Sequence, residues 1–538
     1  MSERVFHLRA NVQAEPLTRR WYAWPLLIAP APAAMVTSNL HLKIMQSYVK
    51  SPQLHAQAVK NPAMRGGPFL DYDPAKARDI QRLIDDTRRE HAGLLELAEA
   101  MKALDALLAS EAKGLSLQPL YAKVPAPLRG FVELGYDLNN HASVRLLEPL
   151  LYRSRHYDPS SQSMAFSVSD GDERPFVLST PRLPGDAALH VDVPFASEAL
   201  DRLFAMKYEA QPLSRIEDLL ELAARGPAGE DGRERLLGLL AEGPAPQRPE
   251  RAFAGEGLRV RYFGHATALF QTRDVSILTD PVVSYDHGRG IPRYTQLDLP
   301  ERIDYVLLTH AHQDHVMFET LLQLRHRIGT LVVPKNSGGS LADPSLKLML
   351  EVLGFRSVVE CDELQEIEVP GGAITGLPFL GEHGDLHIRT KLAYHLRLAG
   401  HTAVCAADSN NLDPDLYRHV AQAVGDIDLL FLGMECEGAP MSWLYGPLLT
   451  RPVDRSMDQA RRLNGSNFER GIPLVDAFNP KSVYVYAMGQ EPWLAFISSI
   501  HYTEQSMPIV ESNKLVAECL RRGLVSERLF GQKELVLN

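Results

Sequence analysis

The sequence predicts an α+β chain of two domains. The second is a layered αββα sandwich, two sheets packed face to face between outer helices. Three observations carry that expectation. At 538 residues the chain is too long for one hydrophobic core. Near residue 245 a helix-biased half gives way to short β-runs alternating with helices. Within the second half, Thr309–Val316 (THAHQDHV) follows a buried β-run and sets three imidazoles and a carboxylate within six positions, the mark of a sheet rim that carries metal ligands.

The first half, 1–245, reads as α+β. Val5 to Val12 and Trp21 to Ile28 are expected as strands, and Met35 to Lys50 and Ala75 to Ser110 as helices, the latter with Ile80, Leu83, Ile84, Leu94, Leu95 and Leu97 spaced between charges. Short strands follow at Met164–Val168, Pro175–Leu178 and Ala188–Val193, then helices at Arg215–Arg225 and Arg233–Glu242. No cluster of ligand or nucleophile residues lies here. The stretch EGPAPQRP, Glu242 to Pro249, has three prolines and a glycine and cannot continue a helix or a central strand. It places a linker at 246–256 and a catalytic domain at 257–538. That domain opens with β-runs at Leu258–Phe263, Ala268–Gln271, Val275–Thr279, Tyr305–Thr309 and Thr330–Pro334, with helices at Pro344–Leu353, Pro414–Val424 and Val510–Arg522.

Composition narrows the setting. Hydrophobic residues make up 45% and charged residues 23%, ordinary for a soluble globular protein. A net charge of -11 without a long basic block argues against nucleic acid as a partner. Cys361, Cys405, Cys436 and Cys519 show no CxxC spacing and fit reduced thiols in a cytoplasm. The amino terminus has no apolar signal core. The apolar segment Trp21 to Val36 is broken by Pro25, Pro30 and Pro32, so neither a signal peptide nor a membrane span is expected.

The metal loop can be read further. If the chain stays extended through it, alternation puts His310, His312 and Asp314 on one side, and a turn brings His315 beside them. Two further loops, each where a buried strand emerges, would complete a dinuclear centre: Gly381-Glu382-His383-Gly384-Asp385 after Ala373–Leu380, and Asp408 after Ala403–Ala407. This order of strands and ligands resembles the metallo-β-lactamase superfamily. Phe263–Thr267 and Thr279–Pro281 look like its early strands and turn, which would make Asp280 an acceptor orienting a ligating imidazole, or else a plain turn aspartate before proline.

Hydrolases of that superfamily put histidine in the slot where this chain offers Glu382 or His383, and another after a late strand. Here the late strand Ser482–Ala487 runs into Met488-Gly489-Gln490-Glu491, and His501 is a weak, structural candidate. With Glu382 as ligand, the set His310, His312, Asp314, His315, Glu382 and Asp408 is oxygen-rich and suits iron or manganese better than redox-inert zinc. His310, His312 and Glu382 would hold one ion and Asp314 and His315 the other, with Asp408 bridging.

The phrases GEHGD, AADSN, GMECEG with SWLYGP, and VYAMGQEPW resemble the diiron β-hydroxylases of the chloramphenicol pathway and its relatives, over the whole chain. The resemblance implies glutamate in the histidine slot, at Glu382, and a bridging aspartate at Asp408, these two being the catalytic pair. It implies two iron ions, O2 as co-substrate, and β-hydroxylation of an aryl amino acid, L-p-aminophenylalanine, tethered to the thiolation domain of a nonribosomal peptide synthetase in antibiotic biosynthesis. With no GxGxxG fingerprint in the chain, two electrons must come from an external electron-transfer partner. Trp443 and Tyr445 are candidates for an aromatic wall around the substrate or its pantetheine arm, with core packing as their alternative. Carrier docking or homodimer contacts are the jobs the family suggests for 1–245. The competing expectation is a hydrolase of phosphodiester, lactone or thioester, with His383 ligating zinc or manganese. A silent scaffold is a third, opposed by the cost of burying carboxylates without a cation.

Overall fold

The computed structural model of the chain describes residues 4–185 and 187–538. Its second half is built on two seven-stranded sheets. One runs in the order Val358–Cys361, Ile328–Pro334, Ile303–Leu307, Ser276–Thr279, Thr267–Gln271, Leu258–Gly264 and Lys533–Leu537. The other runs Glu366–Val369, Gly372–Leu377, Ala393–Leu398, His401–Cys405, Leu429–Gly433, Ser482–Tyr486 and Val525–Arg528. Val260, Phe270, Ile277 and Val332 of the first meet Ile374, Tyr394, Phe431 and Tyr486 of the second in a dry layer between them. Outside the second sheet lie helices Pro414–Val424, Phe468–Phe478 and Met507–Arg521, packed through Tyr417, Phe478 and Leu515. Helices Phe318–Leu324 and Leu346–Val352 cover the first sheet's outer face. The arrangement is the αββα sandwich that the β-runs and intervening helices predict.

Residues of the first half pack over that outer layer, with Leu8, Met164 and Phe204 in one apolar cluster with Leu278, Val306 and Leu331. Its first strand, Val5–Leu8, lies between Gln211–Pro212 and Leu240–Glu242, tying the start of this half to its end. A second sheet joins Val12–Thr18 to Gln162–Val168 and Leu189–Asp192. Between the halves sits a buried charge cluster. Glu15 is paired with Arg182 at 2.6 and 2.9 Å. Arg174 reaches both Glu15, at 3.3 Å, and Glu319, at 3.0 Å, while Tyr22 and Tyr285 donate to Glu319 at 2.9 and 2.6 Å. Removing one member of such a cluster leaves a buried charge uncompensated.

Several local expectations are corrected. Trp21–Ile28 is not one strand. Only Trp21–Tyr22 is, and Pro25, its φ already fixed for the purpose, starts a helical turn. Pro175–Leu178 forms no strand. The single helix expected over 75–110 breaks at His91 into Ala77–Glu90 and Ala92–Glu111. Helices Phe318–Leu324 and Phe468–Phe478 add to the expected set, the latter in spite of Pro473 inside it. From Gly243 to Gly257 the only regular element among the described residues is a 3-10 turn at Pro249–Arg251.

Candidate metal centre

The loops that matter leave the carboxyl ends of strands on one rim of the sandwich. His265 follows Leu258–Gly264, Asp280 follows Ser276–Thr279, and His310 follows Ile303–Leu307; Glu382 comes after Gly372–Leu377, and Asp408 after His401–Cys405. Backbone strain concentrates here. His265, Asp280, Glu382, Ala407 and Ala487 all hold positive φ, between 34° and 67°, a conformation that side chains other than glycine rarely adopt. The metal loop turns earlier than an extended path would. His315 and Val316 donate their backbone N–H groups to the His312 carbonyl at 3.2 and 2.9 Å, and the turn, rather than strand alternation, converges the ligands.

Within this rim, His312 Nδ1 is 3.0 Å from Glu382 Oε1, and His310 Nε2 is 3.7 Å from Glu382 Oε2 and 3.9 Å from Asp408 Oδ2. His315 Nε2 is 3.1 Å from the same Asp408 oxygen. Three triads of ligand atoms lie within 4.8 Å of one another: His310, His312 and Glu382; His310, His315 and Asp408; and His265, Asp314 and His315. His383 is in none of these triads. Its Nδ1 lies 3.1 Å from the Gly381 carbonyl and its ring packs beside His312, with centroids 4.5 Å apart. His501 is exposed and also outside them.

Hydrogen bonds behind the rim set which imidazole nitrogen faces inward. Asp280, fully buried, accepts from His315 Nδ1 at 2.8 Å, from the Thr309 hydroxyl at 2.5 Å and from the Thr309 N–H at 2.7 Å. Because Thr309 donates to Asp280, its oxygen is free to accept from His310 Nδ1, 3.0 Å away. His310 and His315 therefore both present an Nε2 lone pair to the cavity. His312 is turned the other way, with Nε2 3.0 Å from the Tyr445 hydroxyl and Nδ1 toward Glu382. Tyr445 is thus a partner of an imidazole, while Trp443 lines the cavity and donates from Nε1 to the Gly66 carbonyl at 2.9 Å.

Two iron ions fit this set of donors. His310 Nε2, Glu382 Oε2 and Asp408 Oδ1 are buried without a hydrogen-bond partner among the described residues, a costly arrangement unless a cation takes them up. The electrostatics agree. Burial, then the Asp408 and Asp314 carboxylates, push Glu382 well above the usual carboxylate range. Burial works to lower His315, but Asp408 and Asp280 overcome it and hold the ring well above its ordinary value. Glu435, at the end of strand Leu429–Gly433, faces the same cavity, and burial with Asp408, Asp314 and Glu382 raises it strongly. Glu435 lies within GMECEG, and its place after a buried β-run is the sequence signal that marks it. The cavity measures about 370 Å³ and is closed on one side by residues 63–67 and Phe69 of the first half. A neighbouring cavity of about 760 Å³ shares Gly66, Gly67 and Trp443 with it and opens outward.

Comparison with known proteins decides the family. A 4-amino-L-phenylalanyl-[CmlP-peptidyl-carrier-protein] 3-hydroxylase of Streptomyces venezuelae is 40% identical over 538 residues, covering 99% of this chain and 100% of the relative. The chain belongs to the diiron non-haem β-hydroxylases. Residues 7–243 match the family described as "Diiron non-heme beta-hydroxylase N-terminal domain", and residues 276–462 match the "Beta-lactamase superfamily domain". The crystal structure of CmlA, a diiron β-hydroxylase from Streptomyces venezuelae, superposes with a TM-score of 0.91 at 39% identity, covering 100% of both chains. A metal-dependent hydrolase of Flavobacterium johnsoniae is 26% identical over 163 residues, 26% of this chain and 66% of its own length. That partial likeness does not rival the full-length match, and the hydrolase alternative is not the better description of this β-hydroxylase. No helix among the described residues is long and apolar enough to cross a membrane.

Proposed function

We propose that this β-hydroxylase acts on an aryl amino acid, L-p-aminophenylalanine foremost, held as a thioester on the thiolation domain of a nonribosomal peptide synthetase in the cytoplasm. O2 is the co-substrate and a separate protein delivers two electrons. The observation that carries this reading is the full-length similarity to a hydroxylase of carrier-bound 4-amino-L-phenylalanine. We assign His310, His312 and Glu382 to one iron and Asp314 and His315 to the other, with Asp408 between them, and Glu382 rather than His383 as the ligand in its loop. When bound, the iron pair would activate O2 so that one oxygen atom enters the benzylic C–H bond and the other, with two electrons and two protons, leaves as water.

The chain's own residues do the rest. Asp280, through His315 and Thr309, and Tyr445, through His312, keep imidazole lone pairs aimed inward. Trp443 and residues 63–67 wall the cavity from water, and the outer cavity continuing past Gly66 and Gly67 would take the pantetheine arm. Glu435, raised by its neighbours, would hold a proton at the cavity wall. We take 1–245 as a domain for carrier docking or dimer contacts that also supplies this wall, 246–256 as a linker, and 257–538 as the catalytic domain.

The test is metal analysis with an optical spectrum, followed by aerobic turnover of the aminoacylated carrier with an external reductant. About two irons per chain and a product one oxygen heavier support the reading. Iron lost in Glu382→Ala but kept in His383→Ala supports the ligand assignment. Colourless zinc protein that leaves the carrier-bound amino acid unchanged would overturn it.

A further inference from the structure

His265 lies against the centre, yet the proposed ligand set does not use it. It is fully buried and its Nε2 is 3.2 Å from His315 Nε2 and 3.6 Å from Asp314 Oδ2, so by distance alone it could be a further ligand. Its other nitrogen argues otherwise. The Gly489 backbone N–H donates to His265 Nδ1 at 3.1 Å. A nitrogen that accepts a hydrogen bond carries no proton, and an imidazole keeps at least one, so the proton is on Nε2, pointing into the cavity. A ligand needs the reverse: Nε2 bare and Nδ1 protonated, which would set two buried N–H groups against each other.

The same loop fixes the backbone, since the Ala487 N–H donates to the His265 carbonyl at 2.9 Å. His265 and Ala487 hold φ of 51° and 52°, and Gly489 holds 63°. Both sides of this contact keep strained backbone, as expected where surrounding packing dictates the position of a functional group. His315 offers the contrast. It donates from Nδ1 to Asp280, which leaves its Nε2 lone pair for a cation. The two Nε2 atoms lie 3.2 Å apart, and His315 Nε2 also lies 3.1 Å from Asp408 Oδ2, so the His315 nitrogen is engaged away from His265. Once a cation takes the His315 lone pair, Asp314 is the acceptor next in reach of the His265 Nε2–H.

We propose that His265 is a positioning residue and not an iron ligand: its Nε2–H, fixed by the Gly489 backbone, is directed at the Asp314 carboxylate and holds that ligand in place at the second iron. The loop after the late strand Ser482–Tyr486, which brings no histidine of its own to the centre, acts by setting this tautomer. The inference rests on the ligand set proposed above.

The experiment measures iron per chain and the near-ultraviolet and visible spectrum of the purified holoenzyme, wild type beside His265→Gln and His265→Ala. The expected result is two irons in all three. The spectrum should be wild-type in His265→Gln, whose amide N–H can reach the same acceptor, and shifted in His265→Ala, where Asp314 is released. One iron lost in His265→Gln means His265 is a ligand and overturns the proposal. Two irons with the wild-type spectrum in both variants also overturns it, because the ring would then only fill space. Should His265→Ala not fold, 15N-histidine NMR of the zinc-loaded wild type, with His265→Gln to assign the signal, reads the tautomer directly. A protonated Nε2 supports the proposal and a zinc-bound Nε2 defeats it. A wild-type protein without two irons would count against the ligand set itself, separately from His265.

Discussion

Replacing Asp280 with asparagine changes almost no volume and tests the logic of the whole centre. Asp280 meets three donors: the Thr309 N–H at 2.7 Å on one oxygen, and the Thr309 hydroxyl at 2.5 Å and His315 Nδ1–H at 2.8 Å on the other. Asparagine keeps one acceptor oxygen and adds two N–H donors. With its oxygen toward the Thr309 N–H, its amide N–H faces the His315 Nδ1–H; flipped, it faces the Thr309 N–H. The site is fully buried, so water cannot relieve either conflict. His315 escapes by moving its proton to Nε2, which removes the lone pair a metal needs. Losing a partner that orients a ligating histidine typically costs about 10–100-fold in metal affinity, or about 1.4–2.7 kcal/mol. The expected outcome is loss of the iron held by His315, with the His310–His312–Glu382 iron retained. Ferrous iron titration of the apoprotein, with iron per chain counted after gel filtration, measures it. Asp280→Asn binding both irons within about twofold of wild type would refute the tautomer argument.

Tyr445→Phe removes the hydroxyl 3.0 Å from His312 Nε2, an interaction worth about 0.5–1.5 kcal/mol, so iron affinity at that position should fall by about 2–10-fold in the same titration. Glu319→Ala strips Arg174, Tyr22 and Tyr285 of their shared buried acceptor and should lower stability by about 3–5 kcal/mol, read from the guanidinium midpoint. Lys207 is 1% exposed, its ammonium bonded to the Val12 carbonyl and Gln323, and burial pushes it down to about 7. Its folded value lies below its unfolded one, so the unfolded chain binds the extra proton between them. Stability linked to this group is present above the unfolded value of about 10.4 and is lost as pH falls toward 7. The unfolding free energy of wild type relative to Lys207→Met should therefore rise from pH 7 to pH 10 in chemical denaturation; a flat difference would show that Lys207 is charged in the fold.

How much of this is legible in the sequence follows from distance along the chain. The metal loop is legible because its ligand types fall within six positions after a β-run that alternation and composition identify. Glu382 and Asp408 are legible as loop residues where strands end, since the strands Gly372–Leu377 and His401–Cys405 are short, apolar and bounded. His265 is not, because it meets His315 50 positions away and Gly489 224 positions away, and neither partner leaves a local pattern. The wall formed by residues 63–67 and Phe69 is hidden for the same reason: a turn around Gly66, Gly67 and Pro68 in one half has no visible tie to a cavity in the other. The helical turn at Pro25 is locally available, since proline favours a first helical position, whereas the break at His91, between Glu90 and Ala92, carries no glycine or proline to mark it.

The five buried histidines of this rim differ little in burial, and what separates four of them is the atom behind each ring. An acceptor stands behind His310, the Thr309 hydroxyl, and behind His315, the Asp280 carboxylate, so each faces the cavity with a lone pair. Behind His312 is a tyrosine hydroxyl, which can take the proton that a cation at Nδ1 leaves on Nε2. A donor, the Gly489 N–H, stands behind His265, so that ring faces the cavity with a proton. His383 has an acceptor behind it, the Gly381 carbonyl, but its Nε2 belongs to none of the triads. Counting histidines within reach therefore overstates the nitrogen available to iron. With His265 set aside by its backbone donor and His383 by its place outside the triads, the assignment proposed here leaves three imidazoles, and gives the remaining valences to Asp314, Glu382 and Asp408, a carboxylate-rich set that suits iron better than zinc.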